Sequence, residues 1–393
     1  MSGWLILHGG VCAGLVGAGA VLALNLAVIP RLRADRGREE GEDPKVSVLV
    51  PARNEARNIE RCVASLLAQD YPHFEVRVLD DHSEDETAEL VRRLGLREEN
   101  GGLLRGKALP EGWVGKNWAC HQLAEAASGD FLMFTDADTE HEPGVLRALV
   151  DTARRHGADL VSAWPRQRVG HWAERLVVSL LPFVGALFYP HWVLWVLERK
   201  PEWRGRVPGP WRRGLGAANG QVMFFSREGY AAVGGHAGLR GHLVEDVALG
   251  RAMAERMGEG RWWVNVDSGG MVRCRMYRSF GEVWEGFSKN ARAAFEEKWG
   301  MFLGVGVAQV LVWILPFVWV GIPGPHRGWA VAEVAMILAM RSVVVVRFGG
   351  SWWSVWLHPL AYGLGVLIAL NSWRRSAGKG VSWKGRVYAV RDV

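Results

Sequence analysis

Phe131-Leu-Met-Phe-Thr-Asp136-Ala-Asp138 is an apolar run that closes on two carboxylates one residue apart. Its length and apolar character predict a buried strand over Phe131 to Thr135. Side chains alternate along a strand, so Asp136 and Asp138 point together where it ends. Two converging carboxylates supply the hard oxygen ligands that Mg2+ or Mn2+ accept alongside water and a substrate's phosphates. An isolated Asp-x-Asp is more often a solvated turn, so the meaning of this one depends on the sequence around it.

Working outward, Val46-Ser-Val-Leu-Val50 predicts a strand ended by Pro51, and Ile59, Cys62, Val63, Leu66 and Leu67 follow at helical spacing. Phe74-Glu-Val-Arg-Val-Leu79 predicts a second strand running into Asp80 and Asp81. Ser83-x-x-Glu86 has the form of a capping box opening a helix over Thr87 to Leu94. A helical stretch from about Asn117 to Ala127 leads into the 131–135 strand, and another helix starts near Pro143. Strand alternating with helix predicts an α/β domain with a mainly parallel sheet and right-handed crossovers. Ligands on such sheets bind beyond the carboxyl ends of strands, where Asp81 and Asp136 both fall. Farther on, Gln221 to Phe225 reads as a strand, Val244 to Met257 as a helix and Ser279 to Lys298 as an amphipathic helix.

The flanks are of a different character. Tryptophan is over-represented, with 21 residues in 393, and many flank long apolar runs, as at a bilayer interface. The net charge of +6 is concentrated in Arg31 to Arg38, Arg199 to Arg213 and Arg374 to Arg391, beside apolar segments, where cations suit anionic lipid headgroups. No aromatic-interleaved basic stripe points to nucleic acid. Cys12, Cys62, Cys120 and Cys274 are too widely spaced for a zinc site or a disulfide framework, which fits a reducing cytoplasm.

Trp4 to Ile29 has the length of a membrane span and carries Gly10-x-x-x-Gly14, a spacing that can seat another helix. No Lys or Arg precedes it, which argues against a cleaved secretory signal, and the cations after it place the following domain in the cytoplasm. The expected division is a transmembrane helix at 1–30, a basic linker at 31–44, a soluble domain at 45–298, a membrane region of two or three helices at 299–372 and a basic tail at 373–393. Leu176 to Leu197 is apolar enough to span but is interrupted by Pro182, Pro190 and His191. If it crossed, Asp136 and the pair Glu245-Asp246 would lie on opposite sides, so 176–197 is expected to be interfacial or re-entrant. At the C-terminal end, full crossings at Met301–Ile322, Trp329–Val346 and Trp352–Leu370 would carry the basic tail outside, against the positive-inside tendency. Either the middle block, which holds Arg341, does not cross, or the charge bias is broken.

Taken in order, Val-Pro51-Ala-Arg-Asn-Glu55, Leu-Asp80-Asp81-His-Ser-Glu-Asp-Glu-Thr87, Thr-Asp136-Ala-Asp138, Ala-Asn219-Gly220 and Val-Glu245-Asp246 resemble a family 2 glycosyltransferase of the GT-A fold, from about Lys45 to Asn290. The flanking text, Gly-Trp113-Val-Gly-Lys116-Asn-Trp-Ala and Arg275-Met-Tyr-Arg-Ser before Trp284-Glu-Gly-Phe-Ser-Lys-Asn290, is most similar to the membrane-bound branch associated with hopanoid and carotenoid glycosylation. The resemblance implies a Rossmann-like catalytic domain between N- and C-terminal transmembrane helices, a nucleotide-diphosphate sugar donor with UDP favoured, Mg2+ or Mn2+, and a lipid acceptor.

It also implies residue roles. Asp81 would accept from a uracil N–H, with Pro51 and Glu55 lining the nucleotide pocket and Lys116 pairing with phosphate. Asp136 would touch the ribose or the metal's water shell, and Asp138 would hold the metal. Asp246, with Glu245 beside it, would act as the base that inversion requires. Asn219 and Gly220 would shape the acceptor side, and the Gly234-Gly-His236 to His242 loop could close over the donor. Processive members carry Gln-x-x-Arg-Trp where this chain has Gly286-Phe-Ser-Lys289-Asn290, which makes polymer synthesis the weaker reading; either Lys289 supplies charge near the diphosphate or Ser279 to Lys298 is a plain amphipathic helix resting on lipid. The alternatives are a polyisoprenyl-phosphate glycosyltransferase, a polysaccharide synthase, or a catalytically idle subunit of a membrane complex.

Overall fold

The computed structural model describes residues 2–34, 43–288, 299–376, 381–383 and 386–388. The chain divides into two compact units, one of Ile29–Arg166, Val193–Met276 and Ser382–Val393, the other of Met1–Val28, Gln167–Trp192 and Tyr277–Val381. Residues 167–192, which include most of the apolar segment 176–197 read from the sequence as interfacial or re-entrant, belong to the second of these units. Residues 167–192 group with the long apolar helices because their own side chains are apolar and seek the same surroundings.

In the first unit, strands β1 (Val46–Ala52), β2 (Phe74–Asp80), β3 (Leu103–Arg105), β4 (Phe131–Thr135), β6 (Leu160–Trp164), β8 (Val222–Ser226) and β9 (Trp263–Asp267) form one sheet in the order β3-β2-β1-β4-β8-β6-β9. β1 pairs parallel with β2 and β4, β2 with β3, and β6 with β9. Only β8 runs antiparallel, pairing Val222 with Thr135. That reversal puts the residues entering β8 beside the residues leaving β4. A second sheet joins β5 (Thr139–His141), β10 (Val272–Cys274) and β7 (Arg166–Gln167), with Cys274 opposite Thr139. β1 and β4 are almost wholly buried, as continuous apolar strands of a covered parallel sheet are.

The expected capping box does not form. The helix over Thr87–Arg93 starts without a side-chain cap, and Ser83 Oγ instead accepts from Asn54 N at 2.9 Å. Asn54 Oδ1 in turn accepts from Glu84 N at 2.8 Å, so these side chains join the loops after β1 and β2. Asn54 and His82 hold φ of +52° and +57° in these loops, a conformation that few residues other than glycine adopt.

The other unit contains helices at Ser2–Val28, Trp299–Trp313, Leu315–Val320, Arg327–Phe348 and His358–Ser376. Gly3–Val28, Trp299–Val320 and Arg327–Phe348 are long and apolar enough to cross a membrane, and Trp172–Phe188 with His191–Arg199 qualifies only as a pair bent by 45°. The break at Pro190 frees backbone groups that Asn25 satisfies: its Nδ2 donates to the carbonyls of Ala186 and Tyr189, both at 2.8 Å, and its Oδ1 accepts from Trp192 N at 3.0 Å. Arg341 is fully buried, donating to Ser354 Oγ at 2.8 Å and to the carbonyls of Ser179 and Ser354 at 3.3 Å, so the middle C-terminal block keeps a span-length helix around its cation. The Trp352–Leu370 block is divided into Trp353–Trp356 and His358–Ser376. A second polar pair, not anticipated from sequence, joins buried His8 and Glu333 at 2.9 Å.

Candidate active site

The carboxyl ends of β2, β1 and β4 lie side by side and bring the loops carrying Asp81, Arg53 to Glu55, and Asp136 to Asp138 to one edge of the sheet. Asp81 is buried; its backbone N donates to the Ala52 carbonyl at 2.8 Å, and its carboxylate lies 3.3 Å from His82 Nδ1. Arg53 donates to the Asp81 carbonyl at 2.6 Å. Glu55 is half-buried and accepts from Asn58 Nδ2 at 3.1 Å, while its own N donates to Thr87 Oγ1 at 2.8 Å. Pro51 is half-buried within β1, opposite Leu79.

Lys116 occupies the centre of the arrangement. It stands in the first turn of the helix Gly115–Ala126, and its Nζ lies 2.7 Å from Asp136 Oδ1 and 2.6 Å from Glu245 Oε1. Burial works against its charge, but the two carboxylates outweigh this and hold its pKa well above the ordinary lysine value. In this structure Lys116 therefore joins the strand end carrying Asp136 to the helix Glu245–Glu255, which carries the acidic pair in its first turn. Its neighbour Asn117 fastens the glycine-rich loop, donating from Nδ2 to the carbonyls of Leu239 at 2.7 Å and His242 at 3.0 Å.

Asp246 is held by Gly220. The Gly220 N–H donates to Asp246 Oδ2 at 2.8 Å, and a Cβ on Gly220 would stand 3.2 Å from both Asp246 Cβ and Oδ2. Glycine is what lets the amide approach so closely. Asn219 shapes that turn, its Oδ1 accepting from Gln221 N at 2.9 Å and its N donating to Ser162 Oγ at 2.7 Å. Burial, with the adjacent Glu245 charge, raises the Asp246 pKa to about 6, against the opposing pull of Lys116 and of the Gly220 and Val247 amides.

Asp138 has a partner that sequence reasoning missed. Cys274 Sγ, buried on β10, donates to Asp138 Oδ1 at 3.4 Å and accepts from Gln221 Nε2 at 2.9 Å. Burial, followed by the charges of Asp138 and Asp136, raises the thiol pKa well above its ordinary value, so Cys274 stays a neutral donor. Nothing in the spacing of residues 138 and 274 signalled this contact, which exists through the β5–β10 pairing. His236 is fully buried, its Nδ1 2.9 Å from Tyr230 Oη, and burial holds its pKa near 3. Lys289 lies outside the described residues.

Residues 47–201 match the family model described as Glycosyl transferase family 2. This chain carries a family 2 glycosyltransferase domain. Over 390 residues the glycosyltransferase is 25% identical to the 4,4'-diaponeurosporenoate glycosyltransferase of Staphylococcus haemolyticus (strain JCSC1435), covering 92% of each chain. Over 374 residues it is 25% identical to the enzyme of the same name from Staphylococcus aureus (strain USA300), covering 88% of each. Among solved structures it is similar to a mannosyltransferase from Pyrobaculum calidifontis in complex with GDP-Man and Mn2+, with a TM-score of 0.52, 17% identity and coverage of 95% of this chain and 99% of that one. That likeness is one of fold, and the fold is GT-A, as the strand order and the antiparallel β8 also indicate.

Proposed function

We propose that the enzyme moves one sugar, with inversion, from a nucleotide-diphosphate donor to a lipid acceptor at the cytoplasmic face of a membrane. The observation that supports this most is the Lys116 bridge, which brings the strand end of Asp136 and the acidic pair of the acceptor side into one site. Asp81 accepts from the base, favouring a UDP-sugar, with Pro51 and Glu55 beside it, and Asp136 meets the ribose. Asp246 takes the acceptor proton as the new bond forms at the anomeric carbon and the bond to the diphosphate breaks on the opposite face. Lys116 stands ready to repartition its charge between the carboxylates and the departing diphosphate.

The donor set fits a hard divalent cation of the Mg2+ or Mn2+ kind. Asp138 offers a half-buried carboxylate, and no group of three or more His, Cys, Asp or Glu among the described residues could hold a metal alone. Such a site is completed by substrate phosphates and water. When bound, the cation would neutralise charge that develops on the diphosphate.

The candidate spans and the carotenoid named in the relatives' titles both favour a lipid acceptor. With Gly3–Val28, Trp299–Val320 and Arg327–Phe348 crossing, and the divided 353–376 block not crossing, the cations after Arg31 and those from Arg374 onward fall on the same, cytoplasmic side. This removes the charge conflict that three C-terminal crossings would create. The test is a donor screen by nucleotide-diphosphate release, using purified enzyme with Mn2+ and extracted membrane lipids. Release should depend on the lipid extract and be abolished in Asp246→Asn, with nucleotide affinity retained. Unchanged turnover in that variant removes Asp246 as the base, and release indifferent to lipid removes the lipid acceptor.

A further inference from the structure

Between Arg199 and Arg213 the sheet-bearing unit carries six cations, Arg199, Lys200, Arg204, Arg206, Arg212 and Arg213, and one carboxylate, Glu202; Arg204 lies over the buried Trp262 ring at 3.9 Å and Arg213 pairs with Glu255 at 3.6 Å, so the positive face rests on the other four. Three tryptophans stand among or beside them: Trp195, Trp203 and Trp211, with 38%, 45% and 75% of their surfaces exposed. Large exposed indoles are costly in water and uncommon unless something covers them. The patch is also built rather than loose. Arg199 lies over the Trp195 ring at 3.9 Å, and Arg212 closes its own turn by donating to the carbonyls of Val207 and Gly205, both at 2.7 Å. We propose that this face docks on the headgroup region of an anionic bilayer, with the indoles at the lipid interface and the cations among phosphates.

The placement has a consequence for the reaction, which rests on the lipid-acceptor reading above. After Trp211 the chain is buried at Leu215 and then runs flush against the helix Glu245–Glu255. A Cβ on Gly216 would lie 2.5 Å from Arg251 Cα, and one on Gly250 would lie 2.6 Å from the Ala217 carbonyl carbon, so two glycines allow this approach. The same segment continues to Gly220, whose amide holds Asp246. The docking face and the base are therefore joined by one short, tightly packed stretch, on the order of 30 Å even if fully extended. Docking would set the acceptor side of the site next to the leaflet that supplies the acceptor.

The test uses full-length enzyme in nanodiscs, with Trp211→Cys carrying an environment-sensitive nitrobenzoxadiazole and Cys12 replaced by Ala; Cys62, Cys120 and Cys274 are buried. In discs containing phosphatidylglycerol the label should emit at shorter wavelength and be quenched by headgroup-proximal doxyl lipid, and in phosphatidylcholine discs much less so. Lys200→Glu with Arg206→Glu should shift the balance between lipid-docked, quenched label and water-exposed label toward water by about fivefold for each cation lost, with nucleotide affinity unchanged. A label at the exposed Glu99 should report water in both. Water-like, unquenched emission from position 211 in phosphatidylglycerol discs overturns the proposal and turns the search to an acidic protein partner. A docked label in an enzyme whose sugar transfer ignores lipid supports the docking face and fails the lipid-acceptor reading alone.

Discussion

Glu245→Gln and Lys116→Gln should move the acid limb of the transfer rate in opposite directions. In the proposed reaction Asp246 serves as base only when ionised, and its pKa is set by burial first, by the Glu245 charge second and by the opposing Lys116 charge, with a result near 6. The wild-type rate should therefore fall about tenfold between one pH unit above this midpoint and one unit below it. A unit charge within about 4 to 6 Å shifts a carboxylate's midpoint by roughly one to three pH units. Removing the like charge of Glu245 should lower the midpoint by roughly that amount. Removing Lys116 should raise it, because Asp246 loses a cation and Glu245 loses its partner at 2.6 Å. The assay is kcat/KM for nucleotide-diphosphate release across the acidic range at fixed ionic strength, with nucleotide affinity measured separately to confirm folding. A limb that stays in place in both variants, or moves the same way in both, refutes the assignment of the limb to Asp246.

Three further outcomes follow from the geometry. Asp138→Ala should weaken Mn2+-dependent nucleotide binding, measured by calorimetry, and full wild-type activity in chelator would contradict the metal role. Cys274→Ala should raise Mn2+ affinity in the nucleotide complex about fivefold, because the ion no longer displaces a modest hydrogen bond from the carboxylate, while Cys274→Ser stays near wild type; equal affinities in both variants would reduce Cys274 to packing. Glu333→Leu leaves His8 buried without its partner and should cost about 3 kcal/mol in detergent-solubilised unfolding, whereas Glu333→Gln should cost less because it keeps a hydrogen-bond acceptor.

The central strands were legible from their apolar residues, uninterrupted in β4 and alternating with charged ones in β2, and the loops that follow β2 and β4 hold Asp81 and Asp136. β6 and β9 escaped notice because polar residues interrupt them: Ser162 in one and Asn265 in the other, both buried. β3 and β10 are three residues long, too short for any period to register. Lys116 was singled out from its motif, but its bridge to residues 20 and 129 positions away is a property of the fold, as is the thiol beside Asp138. Pro190 marked the break in the apolar segment, whereas Pro182 sits in the first turn of the helix Leu181–Phe188. That Asn25 would satisfy the break depended on a helix packing that no local pattern encodes.

The Asp-Ala-Asp triplet looks symmetrical in sequence, yet its carboxylates are held by different chemistry. β4 ends at Thr135, so the alternation that would make the two equivalent has already stopped when the triplet begins. Asp136 meets an ammonium at 2.7 Å, and Asp138 lies beside a neutral thiol at 3.4 Å, with Ala137 buried between them. A cation arriving at Asp136 must displace or repel Lys116, leaving Glu245 to hold it alone. A cation arriving at Asp138 replaces only a weak S–H donor, and Gln221 still satisfies the sulfur it leaves. The energetic difference favours metal at Asp138 and leaves Asp136 to the sugar of the nucleotide. In the proposed reaction Lys116 would keep the first carboxylate from competing for the ion at the second.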